Sequence, residues 1–107
     1  MIPKLPLAAA AALLLAGVPA ARAEPDLAAG ETRYAETCRN CHGPAGRGMA
    51  SFPSIAGRDA DYLADRLTRY RDGERIGPNA LLMIPMAADL TDAEIENLAA
   101  FVAATFR

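Results

Sequence analysis

Apolar residues are spaced differently along successive stretches of the chain, and each spacing predicts a different element. Residues 5–18 are unbroken Leu, Ala, Pro, Gly and Val. Lys4 precedes this run and the small-x-small signal Ala21-Arg22-Ala23 follows it. That is the layout of a secretory signal peptide over residues 1–23, and the run is too short for a spanning helix. Further on, Leu27, Gly30, Tyr34 and Cys38 fall at i, i+3, i+7 and i+11, one face of a helix over about 27–37, with Asp26 as its N-cap. The glycine on that face costs roughly 1 kcal/mol relative to alanine, which points to a close approach by another helix. A second helix is expected to start within residues 58–61, capped by Asp59 or Asp61. Its stripe is Leu63, Leu67 and Tyr70 with Tyr62 beside them, and Gly73 is its stop. Thr91-Asp92-Ala93-Glu94 has the form of a capping box, and Ile95, Leu98, Phe101 and Val102 make the apolar face of a last helix.

No stretch alternates as a strand would, so the expected class is all-α, with three to four helices. The segments between them are long. Residues 43–57 hold four glycines and two prolines, and residues 74–89 hold Gly77, Pro78 and Pro85 with little periodicity, so both are expected to be mainly loop. Loops of that length are unusual in a compact helical domain unless they wrap something.

Size sharpens this point. Cleavage after Ala23 would leave a single domain of 84 residues, 24–107, near the size where an apolar core alone stabilises by only a few kcal/mol. The two cysteines, Cys38 and Cys41, are too close together to staple distant parts of the chain. A large apolar cofactor would supply the missing core. The mature chain keeps nine basic residues, all arginine, against 13 acidic ones. A net charge near −4 argues against nucleic acid, whose recognition needs a basic stripe. Arg66, Arg69, Arg71 and Arg75 are read as a solvated helix face, with a basic docking patch as the alternative.

Cys38-Arg39-Asn40-Cys41-His42 carries the candidate chemistry. Each cysteine of such a motif can add across one haem vinyl group to form a thioether, and the histidine that follows can turn its imidazole onto the iron. A zinc site would need about four ligands, and the chain has no further Cys or His. A redox Cys-x-x-Cys pair usually opens a helix after a strand, and no strand is expected. One covalently attached haem c per chain is therefore the expected cofactor, with His42 the proximal iron ligand. The other axial position has Met49, Met83 and Met86 as candidates. Met49 lies only seven residues past His42, while Met83 and Met86 both follow a Pro/Gly-bearing loop and precede the last helix; spacing does not separate these two.

Taken together, these residues resemble the class I cytochromes c in their short bacterial form, over nearly all of the mature chain. Gly30 and Tyr34 resemble the family's N-terminal helix glycine and aromatic, and Cys38-x-x-Cys41-His42-Gly43 its attachment motif. Pro53 in Phe52-Pro53-Ser54-Ile55-Ala56-Gly57 resembles the proline of the family's Pro-x-Leu-x-Gly segment. The resemblance implies that the Pro53 carbonyl accepts a hydrogen bond from His42, and that Leu98 and Phe101 pack on the first helix. It implies Met83 as distal ligand, seven positions before Leu90 as in family members, with Met86 the alternative. Residues 56–63 and 73–75 look most like the cytochrome subunits of flavocytochrome c sulfide dehydrogenases.

The implied function is single-electron transfer between redox protein partners in the periplasm, without catalysis by the chain itself. The alternatives are a tightly bound cytochrome subunit of a flavoprotein or other dehydrogenase, and a five-coordinate, ligand-binding haem protein.

Overall fold

The computed structural model describes residues 2–4 and 24–107. The expected signal peptide, apart from residues 2–4, lies outside the described residues. Helix α1 (Leu27–Arg33) opens on Asp26, whose carboxylate accepts from the Ala29 N–H at 3.0 Å. The chain does not stop at Thr37. It passes through a π-helical turn, Tyr34–Cys38, and runs on into α2 (Arg39–His42) before Gly43 ends it at φ 84°. Thr and Asn are modest helix formers, so propensity alone did not foretell this extension; burial of Tyr34 and His42 accompanies it.

Helix α3 (Ala60–Arg71) is capped by Asp59 rather than Asp61: its carboxylate accepts from Tyr62 N–H at 2.7 Å, and Gly73 follows at φ 81°. Helix α5 (Asp92–Thr105) begins with the capping box in full. The Thr91 hydroxyl takes the Glu94 N–H and the Glu94 carboxylate takes the Thr91 N–H, both at 3.1 Å.

Between them lies an element that periodicity did not reveal. Helix α4 (Ala80–Ala87) occupies much of the stretch expected to be loop, with Pro85 inside it. Its sequence, ALLMIPMA, is apolar at every position, so there is no polar face to produce a 3.6-residue rhythm. The proline withholds one N–H, and the helix is short enough that little of its ladder is lost.

Packing is organised by α5. It crosses α1 at Gly30, where a Cβ would run into the Asn97 carbonyl and the Phe101 side chain; the glycine inferred from its cost is a contact point between helices. The core joins Tyr34, Leu63, Ala87, Leu90, Ile95, Leu98, Ala99, Val102 and Phe106. Tyr34, Phe101 and Phe106 form an aromatic trio with ring centroids 5.1–5.8 Å apart. Such tilted and edge-on pairs add about 0.5–1.5 kcal/mol each beyond burial. Phe106 also ties down the long loop: its carbonyl accepts from Gly57 N–H at 2.8 Å, and its ring lies where a Cβ on Gly46 would have to go. Among the described residues there is no β-strand, only an isolated bridge between Met49 and Phe52.

Candidate functional site

The first helical rod, the 43–57 loop, α3, α4 and α5 enclose a cavity of about 270 Å³, open on one side and lined mainly by apolar side chains. Cys38 and His42 reach it from the rod, Pro53 from the loop, Leu63 and Leu67 from α3, Met83 from α4, and Leu98 and Val102 from α5. The π-helical turn ends on Cys38, which places that cysteine on the cavity wall; Cys41, one turn on, is half-buried beside it. Both thiols are free.

The wall that carries His42 is fixed by a dense set of hydrogen bonds. The Nδ1–H of His42 donates to the Pro53 carbonyl at 2.9 Å, which leaves Nε2 as the free ring nitrogen. Gly48 N–H donates to the His42 carbonyl at 2.8 Å, and Ile55 and Ala56 N–H groups share the Gly46 carbonyl at 2.7 and 3.1 Å. The Tyr34 hydroxyl donates to the Gly43 carbonyl at 2.5 Å. Burial pushes that hydroxyl up to about 12, so it remains a donor across the physiological range. Burial likewise pushes the Cys38 thiol up to about 11, against the pull of Arg33, and keeps it protonated.

The cavity lining distinguishes the methionines. Met83 lines the cavity, whereas Met86 and Met49 are 48% and 45% exposed and do not. The basic residues of α3 also separate. Arg69 pairs with Glu74 at 2.5 Å and Asp65 at 3.7 Å, and Arg71 with Asp92 at 2.7 Å. Of the four arginines read as one helix face, Arg66 alone lines the cavity. No cluster of three or more His, Cys, Asp or Glu suited to a metal ion exists among the described residues. The donor set therefore fits a flat apolar group held by two thiols, a histidine and a thioether, rather than a bare cation.

Phe106 and Arg58 are two positions of structural consequence that sequence reasoning did not single out. A C-terminal aromatic outside the helical stripe and an arginine ahead of a helix cap carry no periodic signal.

Comparison with known proteins agrees with this geometry. The family model described as cytochrome C oxidase, cbb3-type, subunit III matches residues 25–102. Cytochrome c-554(548) of Halomonas halodenitrificans is 47% identical over 77 residues, covering 71% of this chain and 92% of that protein. A thiosulfate dehydrogenase electron acceptor of Stutzerimonas stutzeri is 42% identical over 67 residues, 62% of this chain and 31% of that one. The crystal structure of reduced cytochrome c4 from Pseudomonas stutzeri superposes with a TM-score of 0.62 at 28% identity, covering 78% of this chain and 50% of that one.

The chain belongs to the cytochrome c family. It is a small c-type cytochrome of all-α fold, an electron carrier whose cofactor is covalently bound haem c.

Proposed function

We propose that this cytochrome passes single electrons between protein partners through a haem whose iron is held by His42 and Met83. Cys38 and Cys41 would form the thioethers. The observation that carries this reading is the presence of Cys38, His42 and Met83 on the walls of one apolar cavity, with Met86 and Met49 outside it. When bound, the haem supplies a one-electron couple, and His/Met ligation raises its potential relative to more basic ligand sets.

The chain's own residues do the rest. The Pro53 carbonyl holds His42 in the tautomer with Nε2 free. Leu63, Leu67, Leu98 and Val102 exclude water, which limits reorganisation around a changing charge. His42 and Met83 would both be committed to the iron, leaving no place for substrate, so the chain would act as a carrier and not as an enzyme. No helix among the described residues is long and apolar enough to cross a membrane. Together with the signal-like segment, this supports action in the periplasm after export.

The likeness to a thiosulfate dehydrogenase electron acceptor favours a donor among dehydrogenases of reduced sulfur compounds, reached either as a free shuttle or as a bound subunit. Co-purification at native expression levels distinguishes the two.

The absorption spectrum of the ferric protein, read through the far red, tests the ligand assignment. A weak sulfur-to-iron charge-transfer band is expected, lost in Met83→Ala and kept in Met86→Ala. A high-spin spectrum without that band, with a ferrous form that shifts on adding carbon monoxide, would replace this reading with a five-coordinate, ligand-binding one.

A further inference from the structure

Among the described residues, the arginine side chains lining the cavity are Arg58 and Arg66, and no lysine joins them. No acid lines it, although the described chain holds 13 of them. Arg58 precedes the Asp59 cap of α3, and Tyr62 and Arg66 lie one turn apart on the helix itself. The two guanidinium carbons lie 4.8 and 5.1 Å from the centroid of the Tyr62 ring. Asp59, Asp61 and Asp65 are interleaved with these arginines, yet neither arginine is in an ion pair among the described residues. Arg69 and Arg71, on the same helix, do find acids.

Two cations gathered on one ring at an apolar cavity repel each other, and the ring offsets only part of that through cation–π attraction. An anion between them would remove the conflict. A guanidinium presents its N–H groups in a planar fork that matches a carboxylate. Haem carries two carboxylates, its propionates, on one edge.

We propose that Arg58 and Arg66, steadied by Tyr62, form a clamp for the haem propionates and thereby hold the iron's potential up. This rests on the haem reading above. The clamp neutralises negative charge that would otherwise favour the ferric state, so removing it stabilises ferric over ferrous.

The test is a spectroelectrochemical titration of the isolated holoprotein. In Arg58→Gln/Arg66→Gln the oxidation equilibrium is expected to move toward ferric by roughly tenfold, which is about 59 mV for one electron. The single variants should each move it by part of that. Arg58→Lys/Arg66→Lys should restore most of the shift, and Arg107→Gln, which removes one such charge away from the cavity and so matches each single variant, should change the equilibrium less than about twofold. The far-red band should persist in all of them. An unchanged potential in the double glutamine variant overturns the clamp, as it would if these arginines served only an acidic partner protein. Equal shifts in the lysine or Arg107→Gln variants overturn it too. If the glutamine variant retains no haem, recovery of holoprotein with lysine supports the clamp, and loss with lysine as well overturns it. Absence of covalent haem from the unsubstituted chain would instead overturn the carrier reading itself.

Discussion

The two walls of the cavity are built by different physics. The His42 wall is polar in its construction: Tyr34, Gly43, Gly46, Gly48, Pro53 and Gly57 all take part in hydrogen bonds that fix the 43–57 loop. The Met83 wall is an apolar helix attached by few polar links, chiefly Asn79 Nδ2–H to the Ser51 carbonyl at 3.0 Å and Tyr70 O–H to the Ile76 carbonyl at 3.1 Å. A hydrogen-bonded wall specifies orientation, because each bond is directional and a broken one leaves a buried group unpaired. An apolar wall specifies volume and tolerates small rotations. A cofactor held between them would have a more rigid seat on the His42 side and a softer one on the Met83 side.

Matched glycine substitutions should expose the contrast most strongly. Gly48 has φ 80°, and a Cβ there would strike the Phe52 carbonyl and the Pro53 backbone; Gly77 has φ 81° with nothing within 4 Å. Gly48→Ala should cost roughly 3 kcal/mol from strain plus collision. Gly77→Ala should cost about 1 kcal/mol from its backbone conformation alone. Denaturant unfolding of the two holoproteins measures the gap, and equal losses would mean the walls are equally rigid.

Tyr34→Phe should come next, at about 1–2 kcal/mol, since it leaves the Gly43 carbonyl without its buried partner. Its pH dependence has a defined sign. The folded-state value of about 12 lies above the ordinary 10, so the stabilisation is complete below pH 10 and is lost as pH rises toward 12. Denaturant midpoints should fall more steeply over that window in the parent than in Tyr34→Phe.

The smallest effect belongs to the softer wall. Asn79→Ala removes one exposed link and should cost about 0.5–1 kcal/mol. It should nonetheless speed replacement of the sulfur ligand by added imidazole, followed as decay of the far-red band. An unchanged rate would show that α4 is held by apolar packing alone.

Much of the frame was legible in the chain because it depends on local chemistry. Asp26, Asp59 and Thr91 cap helices through oxygens only a few residues from the N–H groups they satisfy. Gly30 betrayed a helix crossing by its cost, and the crossing with α5 is there. Helix α4 was not legible, since a helix apolar on every side has no periodic signature. The dispersal of the α3 arginines was hidden as well: Arg71 meets Asp92 and the Leu90 carbonyl only once α3 and the start of α5 are side by side.

Cys38-x-x-Cys41-His42 determined the cofactor from sequence alone, because two thiols and an imidazole within five residues are a complete attachment unit whatever surrounds them. The charge balance likewise argued against nucleic acid. Which methionine reaches the cavity was decided by the tertiary structure. Met83 and Met86 are three residues apart, so a helix turns them only about 60° from each other. Both have the same chemistry and nearly the same direction, and the packing of α4 against α3 puts Met83 on the cavity wall and leaves Met86 in solvent.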